Sequence, residues 1–115
     1  MILAIPALEA AGFTGIKDTH KTESYDYSAM HFGAEWPIEV KGTTSSDMET
    51  FLLTARELEL HRKQSGQTAL VLVYDIQLKR SPEGPTASGG TVELHAPWSI
   101  EGWQFEPNSY RAKRL

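Results

Sequence analysis

Residues 24–42 read SYDYSAMHFGAEWPIEVKG, and the alternation inside this stretch decides the fold. Tyr25, Tyr27 and Ala29 alternate with Asp26, Ser28 and Met30 in its first half; Trp36, Ile38 and Val40 alternate with Pro37, Glu39 and Lys41 in its second. A period of two places successive side chains on opposite faces of a strand. Two strands, 24–32 and 35–43, joined through Gly33-Ala34, are therefore expected to form a hairpin. Burial of the aromatic side selects one register, with Tyr25 opposite Val40, Tyr27 opposite Ile38 and Ala29 opposite Trp36, because a slip of one residue mixes the two faces. Pro37 must then occupy a position that donates no ladder bond.

The same register sets Asp26 opposite Glu39 on the other face. Residues so paired have Cβ atoms about 5 Å apart, close enough for both carboxylates to share one divalent cation. Like charges this near repel, so the pair stabilises nothing until a cation arrives. Lys41 projects from the same face about 7 Å along the strand, where it is placed to orient a water or to stabilise charge developing on a phosphate. Two acids and a lysine in this arrangement make a minimal metal-dependent phosphodiesterase site.

Working outward, residues 2–11 have helical spacing, with Gly12 as a stop, and 13–18 suggest a short strand followed by a polar connection at 19–23. After the polar turn TTSSD, Thr54 and Glu57 have capping-box spacing and open a helix over 55–65 that closes at Gly66. That pair is assigned to the cap alone. TALVLVYDIQL, 68–78, is the most apolar run and reads as a buried central strand, with 91–96 as a further strand beside it. Composition makes 80–90 a flexible loop, and the tail carries Trp98, Trp103, Phe105 and Tyr110, folded back over the core. The order α, β, β, β, α, β, β describes an α/β domain with a mixed sheet.

The bulk numbers fit this outline. A chain of 115 residues with 40% hydrophobic content is expected to form one domain, 1–115, standing alone or as a fragment of a larger multidomain protein. There is no cysteine, which removes disulfides and thiolate metal sites and fits a cytoplasmic location. The apolar opening is interrupted by Pro6 and Glu9 and is too short to span a bilayer. A net charge of −4 gives no whole-domain basic surface for nucleic acid.

Asp26 with Glu39-Val40-Lys41, set between a first helix and a capped second helix, resembles the PD-(D/E)xK nuclease superfamily. More specifically, IEVKGTTSS followed by FLLTARELELHRK and a hydrophobic strand is similar to the domain at the C-terminus of the plant protein NO VEIN and to its bacterial relatives, some in restriction and phage defence. The resemblance covers roughly residues 9–78, more loosely the tail around WQFEPNSYR. It implies a restriction-endonuclease-like core of order αβββαβ, with a mixed central sheet flanked by helices. It also implies an endonuclease using Mg²⁺ or Mn²⁺ on DNA, with Asp26 and Glu39 as metal ligands and Lys41 as the activating base. Some members add a first-helix glutamate, for which Glu9 is the candidate, and Tyr25 stands where the superfamily often has proline.

Around that centre, Thr43 and Thr44 are candidates for phosphate contact, and Arg56, Arg62 and Lys63, with Arg111, Lys113 and Arg114, are the basic side chains available to a nucleic-acid backbone. The four histidines, 20, 31, 61 and 95, lack ligand spacing and read as surface or partly buried residues, so no zinc site is expected. With so few basic residues, DNA is expected to be brought by attached domains or a partner, and cutting both strands implies a homodimer. The alternative is a binding module for nucleic acid or protein that keeps the nuclease-like fold without cleaving. A small-molecule hydrolase would instead need a deep pocket.

Overall fold

The computed structural model describes residues 2–108 and 112–114; Tyr110 and Arg111 lie outside the described residues. A 3₁₀ turn at Ile2–Ala4 leads into helix α1, Ile5–Ala10, with Pro6 in its first turn, where its missing N–H costs nothing. Then follow β1, Thr14–Asp18, β2, Tyr27–His31, and β3, Ala34–Gly42. Helix α2, Ala55–Lys63, crosses to β4, Ala69–Tyr74. A small hairpin of β5, Gln77–Lys79, and β6, Thr86–Ser88, precedes β7, Thr91–His95. The main sheet has the order β1-β2-β3-β4-β7, parallel between β3 and β4 and antiparallel elsewhere. The protein is thus a mixed α/β fold on a five-stranded mixed sheet.

The hairpin has the expected register: Tyr27 pairs with Ile38 and Ala29 with Trp36. Its loop is Phe32-Gly33 rather than Gly33-Ala34, because Ala34 already pairs with His31. Both loop residues have positive φ, 49° and 73°, the geometry of a two-residue turn that matches strand twist. The first strand is shorter than 24–32, since Asp26 leaves the ladder: its N–H donates to the Ile38 carbonyl instead of pairing with Glu39. Tyr25 lies outside the ladder for the same reason.

The expected strand over 68–78 is broken at Asp75, whose φ of 56° turns the chain out of the sheet. Residues 80–90 are not wholly loop, because Thr86–Ser88 pair with Gln77–Lys79. β7 lies antiparallel to β4, as 91–96 suggested.

Both sheet faces are covered, which is why β4 is apolar throughout. On one face Leu8 of α1 and Phe13 pack with Tyr27, Trp36, Ile38, Val40 and Val71. On the other, Leu70 and Leu72 pack with Trp98, Phe51, Trp103 and Phe105, so the tail does fold back over the core. In the parallel pair Glu39 stands beside Leu70 and Lys41 beside Leu72. The acid and the amine therefore point into the second layer, beneath the loop 43–54, α2 and the tail.

Candidate active site

β3 presents Ile38 and Val40 to one layer and Glu39 and Lys41 to the other, as strand alternation dictates. Glu39 is only 2% exposed. Its Oε1 lies 3.4 Å from Lys41 Nζ, and Lys41 is about a fifth exposed, its side chain at 22%. The same amine lies 3.2 Å from Oε2 of Glu57 on α2. Asp26 reaches over from the neighbouring chain segment, its Oδ2 accepting the Val40 N–H at 2.8 Å.

Glu39 and Glu57 share one lysine and the Asp26 charge also acts on Glu39, so the carboxyl groups cannot all remain charged without cost. Burial is the largest influence on Glu39, followed by its hydrogen bond with Glu57 and the charge of Asp26, and together they push its carboxyl up to about 9. For Glu57, burial acts upward but is outweighed by hydrogen bonds from Glu39 and the Thr54 N–H and by the Lys41 ammonium, which hold it below the ordinary glutamate range. The two directions differ in cause: burial favours the neutral form of Glu39, while the Thr54 N–H and the Lys41 ammonium favour the charged form of Glu57. As an ionised group Glu39 would leave Oε2 buried without a donor.

The structure thus places Lys41 against Glu39 and sets Asp26 on the main chain of the intervening Val40. Glu9 is not among them: it is exposed on α1, which packs on the opposite face of the sheet, and it lines a groove with Phe13, Ile16, Asp18 and Tyr27. Thr43 is turned to structural work, its carbonyl accepting from Ile76 N–H and its hydroxyl from Ser45 N–H, while Thr44 is exposed beside it. Arg56 is exposed at the start of α2. Arg62 lies over the Phe105 ring at 5.7 Å, and Lys63 pairs with Glu59 at 3.0 Å, so both have intramolecular partners.

Two residues carry more than sequence assigned them. Glu57 completes the capping box, with its Oε1 accepting Thr54 N–H at 2.8 Å and its N–H donating to Thr54 Oγ1 at 3.1 Å, yet its other oxygen is at Lys41. The signal available was that the third residue of a helix following this strand faces the sheet. His61, one turn further along the same face, is fully buried where sequence suggested a surface or partly buried residue, its ring edge-on to Trp98 at 4.6 Å. Neither ring nitrogen has a hydrogen-bond partner among the described residues. Burial, with a smaller contribution from Lys41 against an opposing one from Glu57, lowers it to about 4.

The chain matches the family described as "Protein NO VEIN, C-terminal" over residues 7–86. It belongs to the NO VEIN C-terminal family. The matched span runs from α1 into β6 and contains Asp26, Glu39, Lys41 and Glu57, while the tail that covers the second layer of this NO VEIN domain lies beyond it. No curated protein and no solved structure gives a significant match.

Hard oxygen donors suit Mg²⁺ or Mn²⁺, and Mg²⁺ is commonly held by one or two carboxylates while keeping several waters. Asp26 has a second oxygen beyond the one bonded to Val40, and Glu39 has a buried oxygen that wants a positive partner, so the donor set fits such an ion. Among the described residues no three Asp, Glu or His side chains converge into a ready-made cage. The ion would therefore rest on Asp26 and Glu39, and binding would release the Glu39 proton. Lys41 also borders an open groove of about 640 Å³ with Thr43, Ser45, Met48 and Phe51, which Asp26 and Glu39 do not line. No helix among the described residues is long and apolar enough to cross a membrane.

Proposed function

We propose that this domain is a metal-dependent nuclease-like module of the PD-(D/E)xK type that hydrolyses phosphodiester bonds in DNA, in restriction or phage defence. The observation that carries the reading is the placement of the Lys41 amine 3.4 Å from Glu39 Oε1 on one face of β3, with Asp26 arriving from the adjoining segment. Support also comes from the order α1-β1-β2-β3-α2-β4, which agrees with an αβββαβ core. When bound, Mg²⁺ or Mn²⁺ supplies a Lewis acid for a phosphate oxygen and makes a water more acidic. Asp26 and Glu39 hold the ion; Lys41 sets a positive charge beside them, where it orients the attacking water and steadies charge on the phosphate. The open groove beside Lys41 suits a polymer strand. DNA is delivered by attached domains or a partner, since the net charge is −4 and Arg62 and Lys63 are already engaged. A homodimer would supply the second cut.

A second reading, a binding module that keeps the fold without cleaving, is favoured by the depth of Glu39 and by the Lys41 amine being held between Glu39 and Glu57, which engages the lysine within the domain. Plasmid and single-strand cleavage with Mg²⁺ or Mn²⁺ decides between them. The nuclease reading expects Glu39→Ala and Lys41→Ala to lower the wild-type rate by on the order of 100-fold or more. Equal behaviour of all three proteins leaves the binding module.

A further inference from the structure

The two oxygens of Glu57 face different ways. Oε1 is fixed by the Thr54 N–H at 2.8 Å, and Oε2 meets the Lys41 amine at 3.2 Å. A lysine stem has many rotamers and its ammonium is a point charge without directional preference, so something must hold it if it is to act at one place. Glu39 holds it at 3.4 Å, but Glu39 is also the group that a cation would claim. Glu57 sits on a different element, is pinned at its far oxygen by the helix cap, and stays available when Glu39 is engaged.

We infer that Glu57 is a positioning residue, its carboxylate fixing the Lys41 ammonium beside Glu39 so that the first turn of α2 sets the placement of the lysine. The effect on cleavage rests on the nuclease reading; the effect on the amine rests on geometry alone. The competing account is that Glu57 only caps the helix.

Two substitutions separate these. Glu57→Gln keeps a side chain that completes a capping box but removes the charge facing Lys41. Thr54→Ala weakens the cap and leaves the carboxylate. Acetylation of Lys41, followed by mass spectrometry against the exposed Lys63 as reference, reports directly on how the amine is held. Glu57→Gln is expected to raise Lys41 labelling clearly above wild type and to lower kcat on plasmid DNA with Mn²⁺ by about 10- to 100-fold, with KM little changed. Thr54→Ala is expected to lower the thermal midpoint and leave both labelling and kcat at wild-type values. Wild-type labelling in Glu57→Gln, or equal labelling rises in both variants, overturns the inference. Raised labelling in Glu57→Gln alone, in a protein that never cleaves, supports the positioning role and removes the nuclease reading instead.

Discussion

The Asp26 side chain takes the place of a main-chain acceptor for Val40: Oδ2 accepts the Val40 N–H at 2.8 Å just past Tyr27–Ile38, the last rung of the β2–β3 ladder. The residue therefore has a structural task beside its proposed cation task, and two substitutions divide them. Asp26→Ala leaves a partly buried N–H without a partner, which costs about 1–3 kcal/mol. Asp26→Asn keeps an oxygen for that N–H but brings no charge. Urea unfolding is expected to place the Asn variant near wild type and the Ala variant below it, while calorimetric titration with Mn²⁺ shows both unable to bind. Mn²⁺ binding by Asp26→Asn equal to wild type would take Asp26 out of the cation site.

Glu39 is expected to make the fold less stable in alkali. Its carboxyl, raised chiefly by burial and then by the bond to Glu57, keeps its proton up to about pH 9 in the fold and loses it near the ordinary value of 4.5 when unfolded. Between those values the folded state binds more protons, so this contribution is complete below pH 4.5, declines as pH rises, and is gone above about 9. Glu39→Gln mimics the protonated acid and cannot ionise. In EDTA, denaturant melts are expected to coincide for the two proteins near pH 4.5 and to favour the Gln variant increasingly toward pH 9. A variant weaker at every pH would mean that Glu39 is charged in the fold.

Much of this site was legible because it sits on a strand whose alternation admits one register. Tyr27, Ala29, Trp36 and Ile38 form an apolar set that only one pairing keeps together, and that pairing puts Glu39 and Lys41 on the other face, while Asp26 leaves the ladder and reaches the Val40 N–H instead of standing opposite Glu39. What sequence does not reveal is depth. Glu39 and Lys41 alternate with apolar residues as an exposed polar face would, yet a second layer built from α2 and distant aromatic residues, Trp98 and Trp103, closes over Glu39. That layer is a long-range product of the chain, invisible in a local period. Glu57 was legible as a cap and not as a partner of Lys41 for the same reason: the cap is local and the amine is 16 residues away. Asp75 turns the chain out of the sheet just after β4 because aspartate tolerates positive φ, a backbone property that the hydrophobicity of the run 68–78 does not report.

Phe32 occupies the first loop position of the hairpin at φ 49° and is 91% exposed. A left-handed backbone costs a non-glycine residue about 1–2 kcal/mol, less for asparagine, and asparagine followed by glycine is the preferred pair for such a turn. The ring recovers little, since it is largely exposed and its ring contact among the described residues is a tilted one with His31, centroids 4.2 Å apart. Phe32→Asn is expected to raise stability by about 1 kcal/mol, read as a higher urea midpoint at unchanged m-value. A fall would show that the exposed ring contributes more than the strain removes.

His61 supplies the opposite pH response to Glu39. Burial lowers it to about 4 in the fold, against an ordinary value of 6.5, with Lys41 acting in the same direction and Glu57 against it. The unfolded chain binds the extra proton between those values, so stability is highest above pH 6.5 and is lost as pH falls toward 4, by an amount on the order of 3 kcal/mol at most. From pH 4.5 to 6.5 this loss runs against the gain from Glu39, and the wild type is expected to change little there. Glu39→Gln removes the gain and exposes the loss: its stability should drop steeply from pH 6.5 to 4.5. Adding His61→Leu, which replaces a ring whose two nitrogens lack partners by an apolar side chain of similar size, should flatten that drop. Melts of the single and double variants at half-unit pH steps read the difference directly, and a double variant as acid-sensitive as Glu39→Gln would place the responsible group elsewhere.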